Sequence, residues 1–189
     1  MCFWAGSPLY AAASEPSAPE LTVDELITSL AKHRPEVAYF EETTFSSMLT
    51  EPLKTRGFLK YTPPSRLEKH VTYPYEERYI VDGDKLMVEK QRKRVNKTLA
   101  IDDYPAIRTY IVALRSTLMG DPIELKRFYR VSIEGERRRW TLMLEPLERT
   151  SQTLVEQLRV SGEGDRVTGI ETRAPDGDRS VLVITKELP

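Results

Sequence analysis

The sequence predicts a mainly β fold of the α+β class: an antiparallel sheet that curls on itself beneath a helical cover. Three observations carry that reading. Short β-rich runs recur along most of the 189 residues, hairpin turn pairs punctuate them, and one stretch of helical period interrupts them near the middle. With 40% apolar residues, a chain of this length buries roughly 70% of its unfolded surface, which suits one core.

The first thirteen residues, MCFWAGSPLYAAA, carry no charge, and Ala11-Ala12-Ala13 before Ser14 fits the small-residue pattern of a secretory cleavage site. They read as the tail of an export signal, although the first basic residue comes only at Lys32. Pro16 and Pro19 then make a linker, so residues 1–20 are expected to be signal remnant and linker, and residues 21–189 one domain. Cys2, the only cysteine, falls inside the signal segment, and cleavage would leave a thiol-free chain suited to an oxidising compartment.

Thr22 followed by Glu25 is a capping box, and Leu26, Ile27 and Leu30 recur at helical spacing until Pro35. Strands are expected over residues 36–49 and 56–61, the second ending at Pro63-Pro64. Further strands follow at 66–73, 77–81 and 85–89, the last two joined through Asp82-Gly83, a strong hairpin signal. The period then changes: Ile107, Tyr110, Ile111, Leu114, Leu118 and Met119 form a broad helical stripe that Gly120 ends, and a short helix is expected over 122–128. Strands resume at 129–133, 139–144, 158–160, 167–173 and 180–185, with turns at Gly135 and Asp176-Gly177. The count is about ten strands, and the helices are the available cover for the sheet.

Composition and spacing disfavour several functions. Lys plus Arg number 28 against 29 for Asp plus Glu, a net charge of −1, so no global field steers the chain onto nucleic acid. No stretch approaches the ~18–20 apolar residues of a membrane-spanning helix, which predicts a soluble mature protein. Nucleophilic catalysis would have to use His33 or His70, and no elbow or glycine-rich oxyanion loop accompanies Ser46, Ser47 and His70. Two isolated histidines cannot compose a zinc site of ordinary spacing. Neighbours in a strand face opposite ways, so neither Glu41-Glu42 nor Glu76-Glu77 supplies two cooperating carboxylates, and both pairs read as solvated charge. The expectation is no catalytic residue, no metal and no cofactor. Arg92-Lys93-Arg94 and Arg137-Arg138-Arg139 read first as solvated charge that guards hairpins and edges, and Arg137 and Arg138 as a candidate contact for a headgroup or membrane.

Six phrases in order resemble the LolA family of lipoprotein carriers, and more closely its divergent LolA-like branch. They are VAYFEE, PLKTRGFLKYTPPSRLEKH, YPYEERYIVDGDKLMVE, LMGDPIELKRFY, RRRWTLMLEPL and IETRAPDGDRSVLVIT, and the resemblance runs from about Leu21 to Leu188. It implies an incomplete antiparallel β-barrel with a helical lid on its concave face, and an activity of taking up acyl chains without chemistry. The sequence departs from lipoprotein carriers proper at Pro63, which stands where they have an arginine that ties the lid shut. That departure points to a paralogue serving another amphiphile, such as a glycolipid or lipid-linked pigment.

The expected function is therefore that of a periplasmic, monomeric carrier with no nucleic-acid partner. It would receive a lipoprotein's acyl chains or another lipid from an inner-membrane donor and pass them to an outer-membrane acceptor. The alternative is a sensor or interaction module on the same fold. Spacing places Leu59 with Tyr61 and Leu142 with Leu144 on single strand faces, and Tyr110, Leu114 and Leu118 on one helical stripe, so the sets can face each other. With Phe40 and Leu67, these residues are the expected lining of the lipid-binding cavity.

Overall fold

In the computed structural model, which describes residues 21–33 and 35–185, one antiparallel sheet holds eleven strands. The proposed signal remnant, with Cys2, lies outside the described residues. The strands are β1 (Val37–Phe45), β2 (Leu53–Thr62), β3 (Arg66–Tyr73), β4 (Glu77–Asp82), β5 (Lys85–Lys90), β6 (Val95–Ala100), β7 (Tyr129–Glu136), β8 (Arg139–Pro146), β9 (Gln157–Glu163), β10 (Arg166–Arg173) and β11 (Arg179–Thr185). Their spatial order is β6-β5-β4-β3-β2-β1-β11-β10-β9-β8-β7. Consecutive strands are neighbours except at β1–β11, where the chain's first and last strands pair and join two meanders. The outer strands β6 and β7 have no mutual ladder among the described residues, so the barrel is incomplete.

Among the described residues four α-helices accompany the sheet, α1 (Val23–Lys32), α2 (Pro105–Met119), α3 (Pro122–Phe128) and the single turn α4 (Arg149–Gln152), with a 3-10 turn at Ile101–Asp103 leading into α2. Helix α1 begins as its sequence requires, with the Thr22 side chain accepting from the Glu25 amide while the Glu25 carboxylate accepts from the Thr22 amide. Its Leu26, Ile27 and Leu30 are buried with Leu125, Tyr129, Trp140, Leu142, Leu144, Leu158 and Val160 in the largest core cluster. Each such side chain contributes about 1.5–3 kcal/mol on burial, which anchors α1 over β7–β9. Gly120 ends α2 at φ 75°, and a Cβ there would lie 2.8 Å from the Ala31 Cβ, so it serves both a left-handed cap and the approach of α1.

Three sequence expectations are corrected. Strand β6 was not expected, because its inward positions include Lys97 and its other residues are mostly exposed, which erases the alternation in the sequence VNKTLA. The first strand ends at Phe45 rather than at residue 49. The β7–β8 turn is Arg137-Arg138, and Gly135 lies within the ladder opposite Trp140.

Candidate functional site

Register defines the concave face. Directly paired residues share a face, so the inward rows read straight from the ladders. One row runs Leu86-Val81-Leu67-Tyr61, the next Val88-Tyr79-Lys69-Leu59-Ala38, and the next Lys90-Glu77-Val71-Gly57-Phe40-Ile184. A further row runs Thr55-Glu42-Leu182-Ile170-Val160-Leu142-Ile133, followed by Thr44-Ser180-Thr172-Leu158-Leu144-Val131. The half of the face on β7–β9 is apolar. The half on β1–β5 mixes apolar side chains with two ion pairs.

The structure distributes six of the nine expected cavity residues over three clusters and leaves Tyr61, Leu114 and Leu118 outside them. Leu142 and Leu144, 0% and 1% exposed, pack with the side chains of α1 and α3, and half-buried Tyr110 lies against them. Phe40 packs with Val71 and Leu182, and Leu59 leans on that group. Leu67 joins Val81, Ile101, Ile107 and Ile111 under the start of α2. Tyr61 is buried, with its hydroxyl donating to the Pro64 carbonyl at 2.7 Å, while Leu114 and Leu118 are half-buried along α2.

Sequence reasoning missed the charged groups on the inner face. Glu42, read as solvated, points inward, and its side chain is only 16% exposed. Lys69 Nζ sits 2.6 Å from Glu42 Oε2 and 5.2 Å from the centre of the Phe40 ring. The Ser180 hydroxyl donates to the other carboxylate oxygen, and the Thr55 hydroxyl donates to Oε2 at 3.3 Å. Burial pushes the Glu42 carboxyl up, but the Lys69 charge and the hydrogen bonds from Lys69, Ser180 and Thr55 outweigh it and hold the group below its ordinary value.

One strand further out the pattern repeats. Lys90 Nζ is 3.1 Å from Glu77 Oε2 and 5.2 Å from the Tyr79 ring centre, and the Tyr79 hydroxyl donates to Glu77. Burial opposes ionisation of Glu77 and Lys90 alike, and the hydrogen bonds and opposite charges prevail, lowering the first and raising the second. A readable signal existed for Lys69: Leu67, Lys69 and Val71 alternate in β3, so an inward Leu67 brings Lys69 inward too.

Helix α2 lies over these rows. Burial, reinforced by the nearby Glu42 charge and opposed by a hydrogen bond with Thr172, pushes the Tyr110 hydroxyl up to about 12, so it stays protonated at neutral pH. Arg115 ties the helix to two turns of the sheet, Nε donating to the Ser65 carbonyl at 3.2 Å and Nη2 to the Gly83 carbonyl at 2.7 Å. Thus the helix supplies the arginine that reaches the β2–β3 turn, next to Pro63.

The remaining candidates lie elsewhere. Arg137 bonds to Ser29 Oγ at 3.3 Å and lies 3.4 Å from Asp165, pinning the β7–β8 turn to α1, while Arg138 is exposed on that turn. His70 faces outward, stacked on Phe58 at 4.4 Å with Nε2 2.8 Å from Glu68, whereas Ser46 and Ser47 belong to the β1–β2 loop. The structure does not bring these three into one site. Among the described residues no group of His, Cys, Asp and Glu could hold a metal, and no helix is long and apolar enough to cross a membrane.

The family described as outer membrane lipoprotein carrier protein LolA-like matches residues 13–185. No curated protein matches in sequence. Among solved structures, a LolA superfamily protein from Nitrosomonas europaea is similar at 13% identity and TM-score 0.46, covering 89% of this chain and 96% of that one. The lipoprotein LppX of Mycobacterium tuberculosis is similar at 10% identity and TM-score 0.42, covering 87% and 96%. A chain of the Pseudomonas aeruginosa MucA/MucB complex matches at 9% identity and TM-score 0.46, over 88% of this chain but 58% of that one.

Proposed function

The chain belongs to the outer membrane lipoprotein carrier protein LolA-like family, and from that premise we propose that it carries an amphiphile, holding acyl chains against the concave face of its open sheet. The observation that carries the proposal is the division of that face into an apolar half and a half bearing Glu42–Lys69 and Glu77–Lys90. Acyl chains suit the first, and a polar headgroup suits the second. Phe40, Leu59, Tyr61, Leu67, Tyr110, Leu114 and Leu118 line the entry beneath α2, and Leu142 and Leu144 form the closed end, reached when α1 and α3 give way.

Every methylene buried contributes about 0.8 kcal/mol, so binding grows steep with chain length. Release requires a competing state, and the packed state described here, with Leu142 and Leu144 covered, is that competitor. No step of this cycle makes or breaks a covalent bond. The proposed place of action is the periplasm, with a lipoprotein or another lipid received at the inner membrane and delivered toward the outer one, and residues 1–20 supplying the signal remnant and linker.

Purification from the native periplasm followed by mass spectrometry of co-purifying lipid tests the proposal, together with titration of a fluorescent acyl probe. Saturable probe binding and a co-purified amphiphile are expected. A protein that binds no acyl probe and carries no lipid refutes the carrier reading.

A further inference from the structure

We propose that one edge of the sheet, formed by the β1–β2, β3–β4 and β5–β6 loops, docks on the surface of an anionic lipid bilayer. The strand order places these three loops side by side along that edge, two strands or roughly 10 Å apart. The β1–β2 loop exposes Met48, at 88%, and Leu49, and Leu53 beside them is exposed as well. Tyr73 ends β3 and Tyr75 lies in the β3–β4 loop, both exposed. The β5–β6 loop consists of Gln91, Arg92, Lys93 and Arg94, with the Arg92 guanidinium 4.2 Å above the Tyr75 ring.

The three chemistries match the three layers of an interface. Thioether and leucine side chains gain by leaving water for the acyl boundary, tyrosine rings sit at headgroup depth, and arginine and lysine meet lipid phosphates. Arg92, Lys93, Arg94 and Lys54 are exposed there against the carboxylates of Glu51 and Glu76 and, on the adjoining β10–β11 turn, of Asp176 and Asp178; Glu76 is already engaged by Gln91, and Asp178 accepts from the Ser47 amide. A row of neighbouring loops with this composition suits a bilayer better than the pocket of a protein receptor. Glu77 opens β4 and Lys90 closes β5, so the inward ion pair lies just behind these loops, and docking would turn that end of the concave face toward the membrane.

Docking stands on this surface alone and is separable from cargo binding. The full chain is mixed with protein-free vesicles, either phosphatidylcholine alone or phosphatidylcholine with phosphatidylglycerol, at low and high salt, and sedimented. Binding to the anionic vesicles that weakens with salt is expected. Reversing Arg92, Lys93 and Arg94 to Glu should lower partitioning by at least about a hundredfold, since losing three cations at about 1 kcal/mol each gives that much and the three new carboxylates add repulsion. Met48→Glu with Leu49→Glu should lower it at either salt concentration. Arg138→Glu, on the opposite sheet edge, should change it little. Circular dichroism and acyl-probe titration of each variant keep loss of docking distinct from loss of fold or of carrier function. Equal binding to neutral and anionic vesicles, unaffected by the triple reversal, overturns the proposal. So does sedimentation with native membranes alone, which would assign the edge to a protein receptor.

Discussion

Lys69 of β3 meets Glu42 of β1 across the intervening strand β2, with Nζ 2.6 Å from Oε2, at the level where Gly57 lies in the ladder between Val71 and Phe40. The ladders put Gly57 beside both Phe40 and Val71, and a Cβ at Gly57 would fall 1.8 Å from the His70 carbonyl oxygen. Backbone cannot yield that far. Gly57→Ala should therefore cost about 1–3 kcal/mol or more, read as a lower denaturation midpoint. An unchanged midpoint would mean that the sheet does not hold this close approach in solution.

The Glu42 carboxyl titrates below its reference value of 4.5 in the fold, so its ion pair contributes fully above about pH 4.5 and fades as pH falls through the lower folded value. Glu42→Gln leaves Lys69 half-buried without its counter-charge and should cost about 1–3 kcal/mol at neutral pH. Urea unfolding at pH 7 and pH 3 checks the sign, since the gap between wild type and variant should narrow in acid. A gap of equal size at both values would place the carboxyl's titration at its ordinary value.

Arg115→Ala removes both hydrogen bonds that tie α2 to the Ser65 and Gly83 carbonyls. A loss of about 1–3 kcal/mol is expected, with faster hydrogen exchange in the second half of α2 and faster entry of an acyl probe. Unaltered exchange along α2 would show that apolar packing alone holds the cover.

Leu142→Asn places an amide where the leucine is 0% exposed, between Val160 and Ile133 on the inward row. If that space is dry the unsatisfied amide should cost ~2 kcal/mol or more. Denaturant unfolding and probe titration are measured together. A cost well below that figure, with probe binding lost, would show that water reaches the site and that the closed end is hollow in solution.

Local chemistry alone determined most of the elements. The Thr22–Glu25 box set the start of α1, the apolar stripe from Ile107 and the Gly120 stop set α2, and Asp82-Gly83 and Asp176-Gly177 fell at the turns after β4 and β10, because caps and turns act over a few residues. Strand β6 escaped because an outer strand with Lys97 inward satisfies no simple alternation. The candidate site was legible only as a set of inward apolar residues, and Glu41-Glu42 shows why. Sequence established that the two carboxylates face opposite ways, but only the tertiary ladder showed that the inward one is buried and met by Lys69, Ser180 and Thr55, which lie 27, 138 and 13 residues away. Those partners are fixed by the register of β1 against β2 and β11, and of β2 against β3. Whether Leu142 and Leu144 are covered was likewise decided by α1 and α3 docking from distant parts of the chain, since periodicity specifies which face a residue takes and not what comes to rest on it.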